Sequence, residues 1–159
     1  MKEKSQEESI KLSTKEAIEL IDMLKRRVTQ NTLQFPKRGE KLEFDVYAVR
    51  EGEKFTVNVS RGRINSKKCT YQGRTYIGST PILRLDITNG IHVNSDGTKI
   101  IGNHLHIYNE NSTMGEAIQF DIENADLYIY CLEFFKKFNI LQESCNILYQ
   151  MELGEGESE

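Results

Sequence analysis

All three histidines of the chain lie in one stretch, between Ile82 and Tyr108. Histidine titrates near neutral pH, so a pair of histidines can serve as the general base and the general acid of one reaction. Arginine can stabilise a charged phosphate because its planar guanidinium offers paired N–H donors. These properties suit metal-independent cleavage of RNA, and the candidate catalytic residues are His104, His106, Arg84 and Tyr108.

The same histidines could instead bind a metal ion. The His-x-His pattern places His104 and His106 on one face of a strand, where His92 or Asp86 could complete a set of ligands. The pattern is short and common, and polar side chains that alternate along a strand usually form only its solvent-facing side. The sequence therefore predicts neither a bound metal nor another cofactor.

Two segments of this stretch have the alternation that is typical of half-buried strands, namely 82–87 and 104–108. In each segment the apolar side chains share one face and the polar side chains share the other. If the two strands are neighbours, their polar faces form one patch, which consists of Arg84, Asp86, His104, His106 and Tyr108. The sequence leaves that adjacency open.

Positive charge is concentrated in one part of the chain. The net charge is -3, yet the segment from Lys54 to Leu85 contains no Asp or Glu and carries +7, so the remainder carries -10. Such a segment can follow a phosphate backbone, although a solvated surface is the alternative. The predicted nucleic-acid contacts are Arg61, Arg63, Lys67, Lys68 and Arg74, with Tyr71 as a surface on which a base could stack.

The composition indicates an ordinary globular protein. The chain has 159 residues, of which 38% are hydrophobic and 28% charged. No apolar run is long enough to span a membrane, and the charged N-terminus lacks a signal sequence, so we expect a cytoplasmic protein. The three cysteines are widely spaced, which predicts buried free thiols rather than disulfides.

Periodicity and capping signals predict a single α+β domain over residues 12–151. An antiparallel sheet would be flanked by an N-terminal and a C-terminal helix in two layers, with disordered segments at 1–11 and at the acidic end 152–159. The first helix would begin at the Ser13 capping box and carry an apolar stripe as far as Val28.

Other local signals complete the predicted order of elements. Alternating residues at 42–48 and 55–59 predict a hairpin, and Gly73 separates two short predicted strands. A second helix would begin at Asn124 or Asp126.

Residues 84–108 resemble the central motif of an uncharacterised family of small bacterial and phage mobile-element proteins, R-x-D, then H-x-N-x-D-G, then H-x-H-I-Y. The resemblance covers about the middle third of the chain and implies no particular reaction. It implies a setting of phages and mobile elements, where small proteins are often toxins, antitoxins or inhibitors of host defence, including anti-CRISPR proteins. The order of helix and antiparallel sheet also resembles the layout of ribonuclease toxins of the barnase and RelE type.

These observations favour an RNA-binding accessory protein of a phage or mobile element. Its partner would be RNA or a ribonucleoprotein, and a counter-defence role against a CRISPR ribonucleoprotein is the expected use. One alternative is a metal-independent ribonuclease toxin. Another is a protein–protein inhibitor that binds a host defence protein without RNA and whose acidic ends mimic nucleic acid.

Overall fold

The largest element of the protein is an antiparallel sheet, seen in a computed structural model that describes residues 11–150. Within this range the strands in chain order are β1 (Lys25–Arg26), β2 (Leu33–Gln34), β3 (Lys41–Ala48), β4 (Lys54–Arg61), β5 (Cys69–Thr75), β6 (Pro81–Ile87), β7 (Ile91–Val93), β8 (Lys99–Ile101), β9 (His104–Ile107), β10 (Ala117–Gln119) and β11 (Ile147–Leu148). Seven of them form the main sheet in the order β1-β3-β4-β5-β6-β9-β10. The pair β7–β8 is a separate hairpin, and β11 pairs with β2 in parallel.

The two α-helices begin where their capping residues predict. Helix α1 (Thr14–Asp22) starts after Ser13, whose hydroxyl accepts from the backbone N–H of Glu16 at 3.0 Å, and the capping box is complete. Helix α2 (Leu127–Lys137) starts after Asp126, whose carboxylate accepts from the backbone N–H of Ile129. The prediction of an α+β fold with a large antiparallel sheet and two helices is confirmed.

Helix α2 covers one face of the main sheet through aromatic pairs. The pairs are Phe135 with Phe44 of β3, Phe138 with Phe55 of β4, and Phe134 with Tyr71 of β5, with ring centroids 5.6–6.0 Å apart. Because side chains alternate along a strand, the polar residues of β5, β6 and β9 are turned to the opposite face. The candidate site lies on that second face.

Helix α1 is shorter than its apolar stripe predicts. It ends at Asp22, and the stripe residues Leu24 and Val28 are 42% and 63% exposed. The chain instead enters β1, which pairs with β3. The amino group of Lys25 is buried here and donates to the carbonyls of Ile21, Met23 and Phe138 at 2.7–2.8 Å. This lysine thus satisfies the carbonyls at the ends of both helices.

The burial of Lys25 makes stability depend on pH. Burial lowers the pKa of Lys25 from 10.5 to about 7, against the opposing effect of Asp22 and Glu51. Below pH 7 the lysine is protonated in the folded and the unfolded state. Between pH 7 and 10.5 the unfolded chain binds a proton that the folded chain lacks. We therefore expect the free energy of unfolding to rise with pH in this window, by up to about 1.4 kcal/mol per unit.

Urea denaturation of the wild type and of Lys25→Met across this window measures the effect. The stability of the wild type relative to the variant should increase as the pH rises, because methionine does not titrate. A difference that stays constant from pH 7 to 10.5 would contradict the prediction.

The region around Gly73 also differs from its prediction. The structure has one continuous strand, β5, where the sequence predicts two short strands. Gly73 lies inside this strand, next to a shift in its register with β6, and a Cβ atom placed there would lie 2.5 Å from the ring of Phe138. The glycine therefore provides room for an aromatic ring and does not form a turn.

The described residues confirm one further prediction, that of the free cysteines. Cys69, Cys131 and Cys145 are buried free thiols, and burial raises the pKa of Cys69 to about 12. Within residues 11–150, no helix combines the length and the apolar character needed to cross a bilayer. The predicted disordered segments at 1–11 and 152–159 lie outside the described range, apart from Lys11.

Candidate functional site

The two strands that carry the predicted polar patch are neighbours. In the antiparallel register of β6 and β9, Arg84 lies opposite His106 and Asp86 lies opposite His104. On the other side of β6, Gln72 of β5 is paired with Arg84. Directly paired residues project from the same face of a sheet. One polar surface therefore extends across β5, β6 and β9.

His92 reaches this surface from the hairpin β7–β8. Asn94, at the end of β7, fastens the hairpin to β10: its amide Nδ2 donates to the carbonyl of Ala117, and its Oδ1 accepts from the backbone N–H of the same residue, both at 2.9 Å. The tight turn of the hairpin contains Gly97, whose φ of 87° lies in the region that favours glycine. These contacts hold the His92 imidazole above β9.

The three imidazoles form a compact cluster. Ring centroids are 5.1 Å apart for His92 and His104, 5.0 Å for His92 and His106, and 4.9 Å for His104 and His106. One ring nitrogen from each residue lies within 4.8 Å of the other two. His104 and His106 are 6% and 1% exposed, and His92 is half-buried. The cluster is therefore largely shielded from solvent.

Each imidazole is oriented by carbonyl oxygens, which accept hydrogen bonds. Nδ1 of His104 donates to the carbonyl of Gly102 at 2.9 Å, and Nδ1 of His106 donates to the carbonyl of Glu116 at 3.2 Å. Nε2 of His92 donates toward the Gly115 carbonyl at 3.0 Å. A ring nitrogen that faces an acceptor must carry the proton. The other nitrogen of each ring is thereby left to bind something inside the cluster.

Asp86 and Arg84 form one side of the cluster. Oδ2 of Asp86 lies 3.2 Å from Nε2 of His104 and 3.2 Å from Nε2 of His106. Arg84 holds this carboxylate through Nε and Nη2, and its Nη2 lies 3.1 Å from Nε2 of His106. Burial raises the pKa of Asp86, but its interactions with His106 and Arg84 outweigh burial and lower it to about 2. The carboxylate is therefore ionised at neutral pH.

An open groove of about 590 Å³ adjoins the cluster. It lies between β5, the second half of β6 and the start of the hairpin, and its polar and charged lining residues are Lys68, Thr70, Gln72, Arg84, Asp86, Thr88, His92 and His104. Asp86 is the single acidic residue in this lining, and Arg84 neutralises it. With neutral histidines the lining carries a formal charge of +1, from Lys68, so the groove is a weakly cationic surface next to the histidine cluster.

The structure moves Tyr108 away from the predicted patch. Tyr108 follows the end of β9, is 4% exposed, and belongs to the hydrophobic core. Its hydroxyl donates to the carbonyl of Leu12 at 2.8 Å. The alternation that the sequence predicts for 104–108 ends at Ile107, because β9 ends there. Tyr108 thus fastens the segment before α1 to the core.

Three of the predicted nucleic-acid contacts are also placed differently. Tyr71 is fully buried, and its hydroxyl donates to the carbonyl of Leu127, so it offers no surface for base stacking. Arg61 is 6% exposed and donates to the carbonyl of Ser66 at 2.7 Å. Arg74 forms an ion pair with Glu43 of β3. The remaining predicted residues, Arg63, Lys67 and Lys68, are exposed.

The sequence analysis did not identify the residues that β5 and the hairpin contribute to the site. Gln72 and Thr70 face the groove because they pair with Arg84 and Asp86 across the sheet. Asn94 carries a signal in the resembled motif, as the N of H-x-N-x-D-G, and its role is to fasten the hairpin. The pairing of β5 with β6 was the missing information for Gln72 and Thr70.

The geometry thus defines an α+β protein with a histidine–carboxylate cluster beside a cationic groove. A family of unknown function (DUF6978) matches residues 12–140, and the chain belongs to that family. This membership agrees with the predicted resemblance to an uncharacterised family. No curated protein and no solved structure matches the chain significantly.

Proposed function

We propose that the protein binds single-stranded RNA through the phosphate groups that enter the groove beside the histidine cluster. The observation that supports this is the composition of the groove lining, in which the carboxylate of Asp86 is neutralised by Arg84, Lys68 leaves a surplus positive charge, and two histidines add hydrogen-bonding groups. Phosphate contacts of this kind supply most of the affinity of proteins for nucleic acid.

Arg84 would hold a phosphate at the end of the groove that adjoins the cluster. Its Nε and Nη2 bind Asp86, whereas Nη1 makes no hydrogen bond to any residue in the described range. Its side chain is 31% exposed. The guanidinium is therefore fixed in orientation while one of its amino groups remains available to an anion, which is the arrangement that favours phosphate binding.

Lys68 would contact a neighbouring phosphate at the other end of the groove. It lies immediately before β5, one residue before Cys69, next to exposed Lys67. Between the two cations, Thr70 and Gln72 offer hydroxyl and amide groups that could bond to ribose, including the 2′-hydroxyl. The groove has no aromatic lining other than its two histidines, so we expect contact with the backbone and little preference for base sequence.

The biological use that we favour is counter-defence in a phage or mobile element, acting on the RNA of a CRISPR ribonucleoprotein. This step rests on the motif resemblance and on the cationic groove, and it stays a prediction.

The test is fluorescence anisotropy of a labelled single-stranded RNA, titrated with purified protein over a range of salt concentrations. We expect binding at low salt that weakens as salt rises, and a salt slope that falls by about one when Lys68→Ala removes one phosphate contact. Lys136→Ala is the matched control, because Lys136 is an exposed lysine on α2, the helix that covers the opposite face of the sheet. Its salt slope should equal that of the wild type.

Several results would oppose the proposal. Absence of binding at low salt would contradict it, and equal loss in Lys68→Ala and Lys136→Ala would indicate nonspecific attraction. Equal competition by AMP and by RNA would mean that the groove accepts one phosphate and not a strand. If the wild type cleaves the RNA in EDTA and His106→Ala does not, the metal-independent ribonuclease is supported instead.

A further inference from the structure

We propose that His92, His104 and His106, together with the carboxylate of Asp86, form a binding site for a zinc ion. The three histidines come from two separate elements, the hairpin strand β7 and strand β9, and Asp86 comes from β6. This inference does not require RNA binding, although His92, His104 and Asp86 also line the groove.

The ring nitrogens of all three histidines are directed as those of metal ligands are. Nδ1 of His104 and Nδ1 of His106 each donate to a main-chain carbonyl, as does Nε2 of His92. Histidine ligands of metals almost always donate their second nitrogen to a carbonyl or carboxylate, which fixes the ring and its tautomer. All three rings in the cluster meet this condition.

The orientation of Asn94 supports the assignment for His92. Oδ1 of Asn94 accepts from the backbone N–H of Ala117, so this atom is the amide oxygen. Nε2 of His92 lies 3.0 Å from that oxygen and 3.0 Å from the Gly115 carbonyl, and both are acceptors. Nε2 must therefore be protonated, which leaves Nδ1 with the lone pair that a metal requires.

Two imidazole nitrogens of the cluster lie close to a carboxylate oxygen. Oδ2 of Asp86 lies 3.2 Å from Nε2 of both His104 and His106. The lone pair of a neutral imidazole and a carboxylate oxygen repel one another, so a donated proton or a metal cation must lie between them. Nη2 of Arg84 lies 3.1 Å from Nε2 of His106 and can donate to it, whereas no donor among the described residues reaches Nε2 of His104. One ion shared by all four side chains would satisfy both nitrogens and the carboxylate.

The distances also fit a tetrahedral ion. Zinc binds imidazole nitrogen at about 2.0–2.1 Å, which puts neighbouring ligand atoms of a tetrahedron about 3.3 Å apart. The two contacts of Asp86 Oδ2, at 3.2 Å, match that spacing. The histidine nitrogens lie within 4.8 Å of one another, so the rings would move inward on binding.

The chemistry of the ligands selects the metal. Three imidazole nitrogens and one carboxylate oxygen suit zinc and related transition metals, whereas magnesium and calcium prefer oxygen ligands. Bound zinc would clamp the hairpin β7–β8 to the main sheet through His92. His92 and His104 also line the groove, so the ion would stiffen one wall of it and add positive charge there.

The site can be tested by metal analysis of the full chain. After dialysis against EDTA and reloading with zinc, the wild type should retain one zinc per chain, and its cobalt-substituted form should show the visible absorption of a tetrahedral site. Removing one imidazole should weaken zinc binding by about 100-fold or more, since even the loss of a residue behind a ligand costs 10–100-fold.

His92→Asn is the variant of choice, because His92 is half-buried on the separate hairpin β7–β8 and its replacement leaves the main sheet intact. His104→Gln provides a second removal from within the sheet. Glu110→Gln, an exposed acidic residue in a loop, is the control and should bind zinc as the wild type does. Thermal unfolding in EDTA establishes that each variant folds.

The proposal would be overturned if the folded wild type retained no zinc. It would also be overturned if folded His92→Asn and His104→Gln bound zinc as tightly as the wild type. Repeating the RNA titration with zinc-loaded and EDTA-treated protein separates this proposal from the previous one. If the protein binds RNA in EDTA but retains no zinc, only the RNA proposal is supported. If it retains zinc but does not bind RNA, only the zinc proposal is supported.

Discussion

Replacing Gly73 with alanine is expected to lower the free energy of unfolding by about 3 kcal/mol, near the upper end of the cost of overpacking a core. A Cβ atom at this position would lie 2.5–2.8 Å from three ring carbons of Phe138. Phe138 is fully buried and its ring also packs against Phe55 and Phe134, so it cannot move away without disturbing its neighbours. Urea denaturation measures the change.

A double-mutant cycle identifies the cause. Phe138→Leu alone should destabilise the protein because it removes buried ring atoms. Combined with Gly73→Ala, it should cost less than the sum of the two single changes, because the smaller side chain makes room for the new methyl group. Strict additivity would show that the clash with Phe138 is not responsible.

Gly52→Ala serves as the matched control for Gly73→Ala. A Cβ atom added at Gly52 would meet no other atom within 4 Å, although the φ of this residue is 74°. Alanine there should therefore cost only the backbone strain of a positive φ, about 1 kcal/mol. A larger loss at Gly52 than at Gly73 would contradict the packing argument.

The second large effect is expected at Lys25, where Lys25→Met should destabilise the protein by about 3 kcal/mol. Methionine can fill the space but cannot donate the three bonds that Lys25 gives to the carbonyls of Ile21, Met23 and Phe138. Each buried acceptor that loses its donor costs about 1–3 kcal/mol, and removing a buried charge offsets part of the sum. Thermal and urea unfolding below pH 7 measure the change in the protonated state.

Lys41→Met is the matched control for this change, because Lys41 is an exposed lysine on a strand of the same sheet. It should alter the free energy of unfolding by less than about 0.5 kcal/mol. If Lys25→Met were as stable as Lys41→Met, the three carbonyls would have another partner, and Lys25 would not join the two helices.

The two positions show why a sequence pattern can indicate the wrong local structure. Gly73 has the type of a turn residue, and the apolar stripe as far as Val28 predicts that Lys25 lies within a helix. Both predictions depend on neighbours along the chain. The structure assigns each role through Phe138, which is far from both in sequence. Such contacts are decided by the packing of α2 on the sheet, and no local pattern contains that information.

The candidate site was also predicted correctly in part and wrongly in part. Alternation in β6 and β9 placed Arg84, Asp86, His104 and His106 on one face, and the register shows that the two strands are adjacent. The same alternation wrongly included Tyr108, because the strand ends before it and the side chain enters the core. Charge counting likewise included Arg61, and the search for stacking surfaces included Tyr71, although both are buried.

The sequence by itself determined only local features. It determined where the helices begin, because Ser13 and Asp126 bond to backbone N–H groups three residues away. It also determined which side chains of a strand share a face. Tertiary structure decided everything that depends on distant partners. It brought His92 from the hairpin onto β9, placed the groove between β5 and that hairpin, and buried Lys25 at the ends of two helices. These arrangements require strand pairing and close packing between remote segments, whose stability is a property of the whole core.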